Sequence, residues 1–123
     1  MNAKRLVWVG SIVLAATAAL HGSGYRDVTA AVAESNIEGM FSGAIGGLWL
    51  YASVHWLFIA VLAVVAVEIA APATPWILGL AAAVLAVDIV VLLVYVGPFF
   101  GEAMLGSAFL AYVGGAALVR RAS

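Results

Sequence analysis

The chain has 123 residues, 67% hydrophobic and 9% charged, with a net charge of −1 and no cysteine. A soluble domain carries roughly 25% charged residues, and one this short has too much surface to hide so much apolar side chain, so the bilayer must be the solvent. The charge balance leaves no basic field for nucleic acid and no polybasic tail, and the missing thiols exclude disulfides, thiolate metal sites and a cysteine nucleophile.

Four segments have the character of membrane spans, which need about 20 apolar residues at ~1.5 Å rise each. The first covers about residues 6–21. Its flanks, Lys4-Arg5 before it and Ala16-Thr17-Ala18-Ala19 near its end, also match the layout of a secretory signal peptide. An outer loop over about 22–39 follows, carrying Arg26, Asp27, Glu34 and Glu38. Within it, Asp27 to Glu38 has the makings of a short interfacial helix with Asp27 as its cap. The second span covers about 41–69, longer than a bilayer needs, and Ala71-Pro72-Ala73-Thr74-Pro75 turns the chain with two helix breakers. The third covers about 76–96, Gly97-Pro98-Phe99-Phe100-Gly101 turns the chain again, and the fourth covers about 103–119.

These elements predict an all-α fold: a single transmembrane domain over 1–123, built as a four-helix bundle in contact with membrane lipid. Lys4, Arg5, Arg120 and Arg121 are four of the five positive charges. The positive-inside tendency therefore places both termini in the cytoplasm, consistent with an even number of spans, and the fold reads as a bacterial-type inner-membrane protein. Small residues recur every four positions: Gly39, Gly43 and Gly47; Ser11, Ala15 and Ala19; and Ala103, Ser107, Ala111 and Gly115. Such stripes let helix backbones approach closely where lipid supplies no hydrophobic drive between helices. The glycine series predicts a packed face on the second span, and the Ser107 to Gly115 face is a candidate contact in a homo-oligomer.

Asp88 interrupts the third span, where a carboxylate costs a few kcal/mol and normally faces a partner or a cavity. Counting from the cytoplasmic boundary at ~1.5 Å per residue puts His21 at roughly 24 Å, His55 at roughly 21 Å, Asp88 at roughly 18 Å and Ser107 at roughly 20 Å. Three ionisable groups and a hydroxyl from four helices thus share one layer in the outer half of the membrane. A carboxylate beside an imidazole relieves the desolvation of both, which makes His21 or His55 the expected partner of Asp88. Tyr51 precedes His55 by four residues and Tyr95 follows Asp88 by seven, each on the same helix face. Trp49 and Trp56 share a face of the second span, with Ser53 between them, and either line a cavity or face lipid.

His21, His55 and Asp88 are the candidate catalytic residues, for general acid/base work on an apolar substrate. Tyr51, Tyr95, Trp49, Ser107 and Glu38 are the candidate substrate-binding residues. Two histidines and a carboxylate also form a recognised metal ligand set, but their spacing is no local motif, so no metal is assigned and the cofactor stays open. The leading reading is a bundle that binds or transforms a small hydrophobic or lipid-like molecule. The alternatives are a structural or accessory subunit of a larger membrane complex and a small proton-coupled transporter.

The His21-Gly22 pair closing the first span is similar to the corresponding point in the DoxX-like group of small four-span bacterial proteins; one dipeptide and a span count imply no function. Asn36-Ile37-Glu38 is one residue short of the Asn/Glu motif of the glutathione-linked MAPEG membrane enzymes. The basic residues that would hold glutathione are missing, so that match is rejected.

Overall fold

The computed structural model describes residues 2–122 and contains five helices: α1 (Ala3–Ser23), α2 (Tyr25–Ala33), α3 (Met40–Ile69), α4 (Thr74–Tyr95) and α5 (Phe100–Ala122). The protein is all-α, and α1 (running on into α2), α3, α4 and α5 are each long and apolar enough to cross a membrane. By length and composition the chain is a small four-helix membrane protein.

The helix ends follow local chemistry. Asn2 caps α1 by accepting the Arg5 backbone N–H at 2.9 Å, meeting one of the donors a helix start leaves orphaned. Between α3 and α4, Ala70 adopts a left-handed conformation and Pro75 sits in the first turn of α4. The Thr74 hydroxyl donates to the Ala66 carbonyl at 2.8 Å, tying the two helices at that end. Gly97, with φ of +87°, turns the chain toward α5, a conformation a side chain would strain. The short helix differs from its expected form: it begins at Tyr25, just after Gly24, with Asp27 inside its first turn, and it ends at Ala33. The Gly24 N–H donates to the His21 carbonyl, so the chain restarts a helix directly after α1 without a side-chain cap. The Ser35 hydroxyl bonds the Val32 carbonyl and accepts the Ile37 N–H, which halts the helix before Glu38.

Among the long helices, α1 packs extensively on both α3 and α5, and α5 on α4, whereas α3 and α4 meet only sparsely. Chain neighbours run antiparallel, and Asn2, Ala3 and Lys4 share one hollow with Leu118, Val119 and Ala122, so both ends of the described chain lie at the same end of the bundle. Val7, Leu14, Leu78, Leu85, Leu105 and Tyr112 are fully buried and form the core.

The tightest seam is α1–α5. A Cβ added at Gly10 would come within 2.6 Å of the Ala111 Cβ, and one at Gly115 within 2.5 Å of Val7. Ser11 and the Tyr112 hydroxyl share a buried hydrogen bond of 3.0 Å across that seam. Ala111 and Gly115 are thus consumed inside the chain, while Ala103 and Ser107 face outward. The Ser107–Gly115 face is therefore not free as a whole for a contact between copies. The glycine stripe also needs correction. Gly39, Gly43 and Gly47 have nothing within 4 Å of where a Cβ would stand, and Gly46 is the packed glycine, receiving Tyr25 and Thr29 of α2 at 3.4 Å. Four-residue spacing identifies a helix face, but where the partner sits depends on how α2 folds back.

Candidate functional site

Asp88 sits in the C-terminal half of α4, where the gap to α3 is bridged by large side chains. Its Oδ2 lies 3.2 Å from His55 Nε2 and accepts the Trp56 indole N–H at 3.0 Å. Both donors belong to adjacent residues of α3, so one carboxylate oxygen gathers two groups from a single helix turn. The pair is three-quarters buried, with side-chain exposures of 26% for His55 and 24% for Asp88. The Tyr51 ring stacks on His55 at 5.8 Å between centroids and 13° between planes, covering the imidazole from the lipid side.

His21 belongs to a second, adjoining group. Its Nδ1 lies 3.0 Å from the Ser53 hydroxyl oxygen, a close approach that Gly22 permits. The imidazole stacks on Trp49 at 4.0 Å and 17°, and meets Trp56 edge-on at 5.0 Å and 74°. The Trp49 indole N–H donates to the His21 backbone carbonyl at 2.8 Å. Trp56, almost fully buried, therefore touches both groups: its ring contacts His21 and its N–H holds Asp88.

A cavity of about 270 Å³ opens beside His21, walled by Thr17, Leu20, Trp49, Trp56, Phe99, Phe100, Gly101 and Met104. Its lining is almost wholly apolar, and Gly101 is required there because a side chain would run into the Phe99 ring. Leu20 and Phe100, at 60% and 73% exposure, open its mouth to the surrounding lipid. A groove of about 250 Å³ runs along the outside of α1 and α3 past Trp8, Ala15 and Val64, but its one hydroxyl, Ser11, is already bonded to Tyr112.

The structure brings His55, Asp88 and Tyr51 together, and joins His21 and Trp49 to them through Trp56. It leaves three expected members outside. Tyr95 is 83% exposed one helix turn or more beyond the cluster, and Glu38 lies on the exposed connection before α3. Ser107 faces outward and donates to the Ala103 carbonyl of its own helix at 2.8 Å. Counting along the helix gives a height for Ser107 but not the side of the helix on which it stands. Two residues matter more than the sequence reading allowed. Trp56 and Ser53 share a helix face with Trp49, and an indole N–H at membrane depth must find an acceptor, which is the signal that points Trp56 at Asp88. Among the described residues, no three of the His, Asp and Glu side chains converge as a metal site would require.

A carboxylate bonded to an imidazole can hold or pass a proton, and an aromatic cavity with one imidazole in its wall can bind a flat apolar molecule. The two capacities sit side by side, separated by the thickness of one indole. No family model, curated protein or solved structure matches the chain, so the site's own geometry is what speaks for its role.

Proposed function

We propose that the protein binds a small hydrophobic or lipid-like molecule, taken from the membrane into the cavity beside His21. The observation behind this reading is a lipid-open aromatic cavity of about 270 Å³ with an imidazole in its wall. An apolar cavity of roughly 150 Å³ accommodates benzene, so this one has room for about two fused rings. Binding is favoured over catalysis because the acid/base pair, His55 and Asp88, does not line the cavity; Trp56 stands between. In this reading Asp88 and His55 position Trp56 as the cavity floor. Both termini are cytoplasmic, since Lys4, Arg5, Arg120 and Arg121 cluster at one end, and the protein resides in a bacterial-type inner membrane.

Filling the cavity tests this. In lipid nanodiscs, with binding to empty discs subtracted, naphthalene should bind saturably to the wild-type protein. Met104→Trp, which projects a large ring into the space, should abolish that binding with little change in Tm. Saturable binding that survives the substitution would locate the ligand elsewhere and overturn the proposal.

A second reading has one observation of its own. Gly39, Gly43 and Gly47 form a bare stripe on α3, open to a partner helix from another copy or a larger complex. Because the chain has no cysteine, Gly43→Cys provides a clean cross-linking site. Disulfide-linked species in native membranes would support a structural or accessory role, and a wholly monomeric band under oxidation would remove it.

A further inference from the structure

Resting on the binding role just proposed, we infer that the cavity selects a flat, conjugated carbonyl compound: its one uncommitted hydrogen-bond donor is His21 Nε2–H. Thr17 donates its hydroxyl to the Val13 carbonyl at 2.8 Å. The Trp49 N–H is taken by the His21 carbonyl, and the Trp56 N–H by Asp88. Leu20, Phe99, Phe100, Gly101 and Met104 offer no side-chain donor. Among the described residues, His21 Nε2 is the one nitrogen in the cavity's side chains that lacks a hydrogen-bond partner.

The Ser53 contact fixes which way that nitrogen acts. In a neutral imidazole one nitrogen donates and the other accepts. If Nδ1–H donated to Ser53, the serine's own O–H would have no acceptor, because its one hydrogen bond is the His21 contact. Leaving a hydroxyl hydrogen unmet in an apolar setting is costly, so the satisfied arrangement has Ser53 O–H donating to Nδ1. The proton then resides on Nε2, which presents N–H to the cavity. Protonating the ring would leave the same donor in place.

A ligand that meets this wall has one hydrogen-bond acceptor and otherwise apolar surface. The rings of Trp49, Trp56, Phe99 and Phe100 favour a flat body, and the mouth between Leu20 and Phe100 lets an alkyl tail run into the lipid. An aryl ketone or a conjugated aldehyde fits that description.

Two probes of matched shape test it: 2-acetylnaphthalene, which carries the acceptor, and 2-isopropylnaphthalene, which does not. Titrated into the protein in nanodiscs with empty discs subtracted, the ketone should bind about tenfold more tightly, the worth of one net hydrogen bond in an apolar site. His21→Phe should bring the ratio to about one while both probes still bind, and Ser53→Ala should shrink it, since Nε2 is then no longer held as the donor. Equal affinity in the wild type, or a preference that persists in His21→Phe, overturns the donor assignment and leaves the cavity role standing. Saturable binding of neither probe overturns both. The wild-type comparison needs no variant, so it stands even if His21→Phe folds poorly.

Discussion

Two carboxylates in this protein are each held by a basic side chain and a tryptophan, at different places along their helices. Glu68, at the last turn of α3, receives Lys4 Nζ on one oxygen at 2.7 Å and the Trp8 indole N–H on the other at 2.8 Å. Asp88, in the C-terminal half of α4, receives the His55 imidazole and the Trp56 indole. In each case one basic side chain and one tryptophan meet one carboxylate. Glu68 and Lys4 are about half exposed near the helix ends, where headgroups and water can take over either partner's role. Asp88 is mostly enclosed at membrane depth, where nothing else supplies a hydrogen bond. The same contacts thus stabilise little in the first place and become obligatory in the second. The basic partners differ accordingly: a flexible lysine near the helix ends, and a planar imidazole at the more enclosed carboxylate.

The largest expected effect is at Asp88. Asp88→Asn keeps the volume but removes the carboxylate partner of His55, and should cost about 3 kcal/mol, the lower end for breaking a buried pair. It is measured as a lowered Tm in mild detergent. Adding His55→Asn should restore part of the loss; strictly additive losses would mean the two residues are not coupled and would dissolve the contrast with Glu68. Next comes Trp56→Phe, which keeps most of the ring but deletes the N–H, and should cost about 1.5 kcal/mol, as for a hydrogen bond to a charged group. The same substitution should loosen the cavity floor and weaken naphthalene binding, whereas Trp8→Phe should leave that binding unchanged. The smallest effect is at the boundary: Glu68→Gln should leave Tm indistinguishable from wild type, because exposed ion pairs compete with solvent. A clear loss there would show that depth is not what separates the two sites.

Much of the architecture was legible from residue type alone. Apolar length marks the four long helices, and Pro72, Pro75, Gly97 and Pro98 mark the turns, because both signals act within a few residues along the chain. The shared height of His21, His55 and Asp88 was legible too, since rise per residue converts sequence number into depth. Rotation about each helix axis was not. Ser107 is exposed and bonds within its own helix; Gly46, one residue from Gly47, is covered while Gly47 is bare. In a soluble helix an amphipathic pattern would settle the rotation, but here lipid-facing and partner-facing sides are equally apolar, so the pattern is silent.

By itself the sequence determined the solvent and the number of long helices, because desolvation of backbone and charge depends on composition and length. Only the tertiary structure decided that α3 and α4 meet sparsely, that His55 and Trp56 close the gap onto Asp88, and that His21 faces a cavity with Ser53 at its back. Those outcomes turn on how apolar helices rotate and interlock, which is set by the shapes of residues far apart in the chain, Gly10 against Ala111 and Val7 against Gly115 among them.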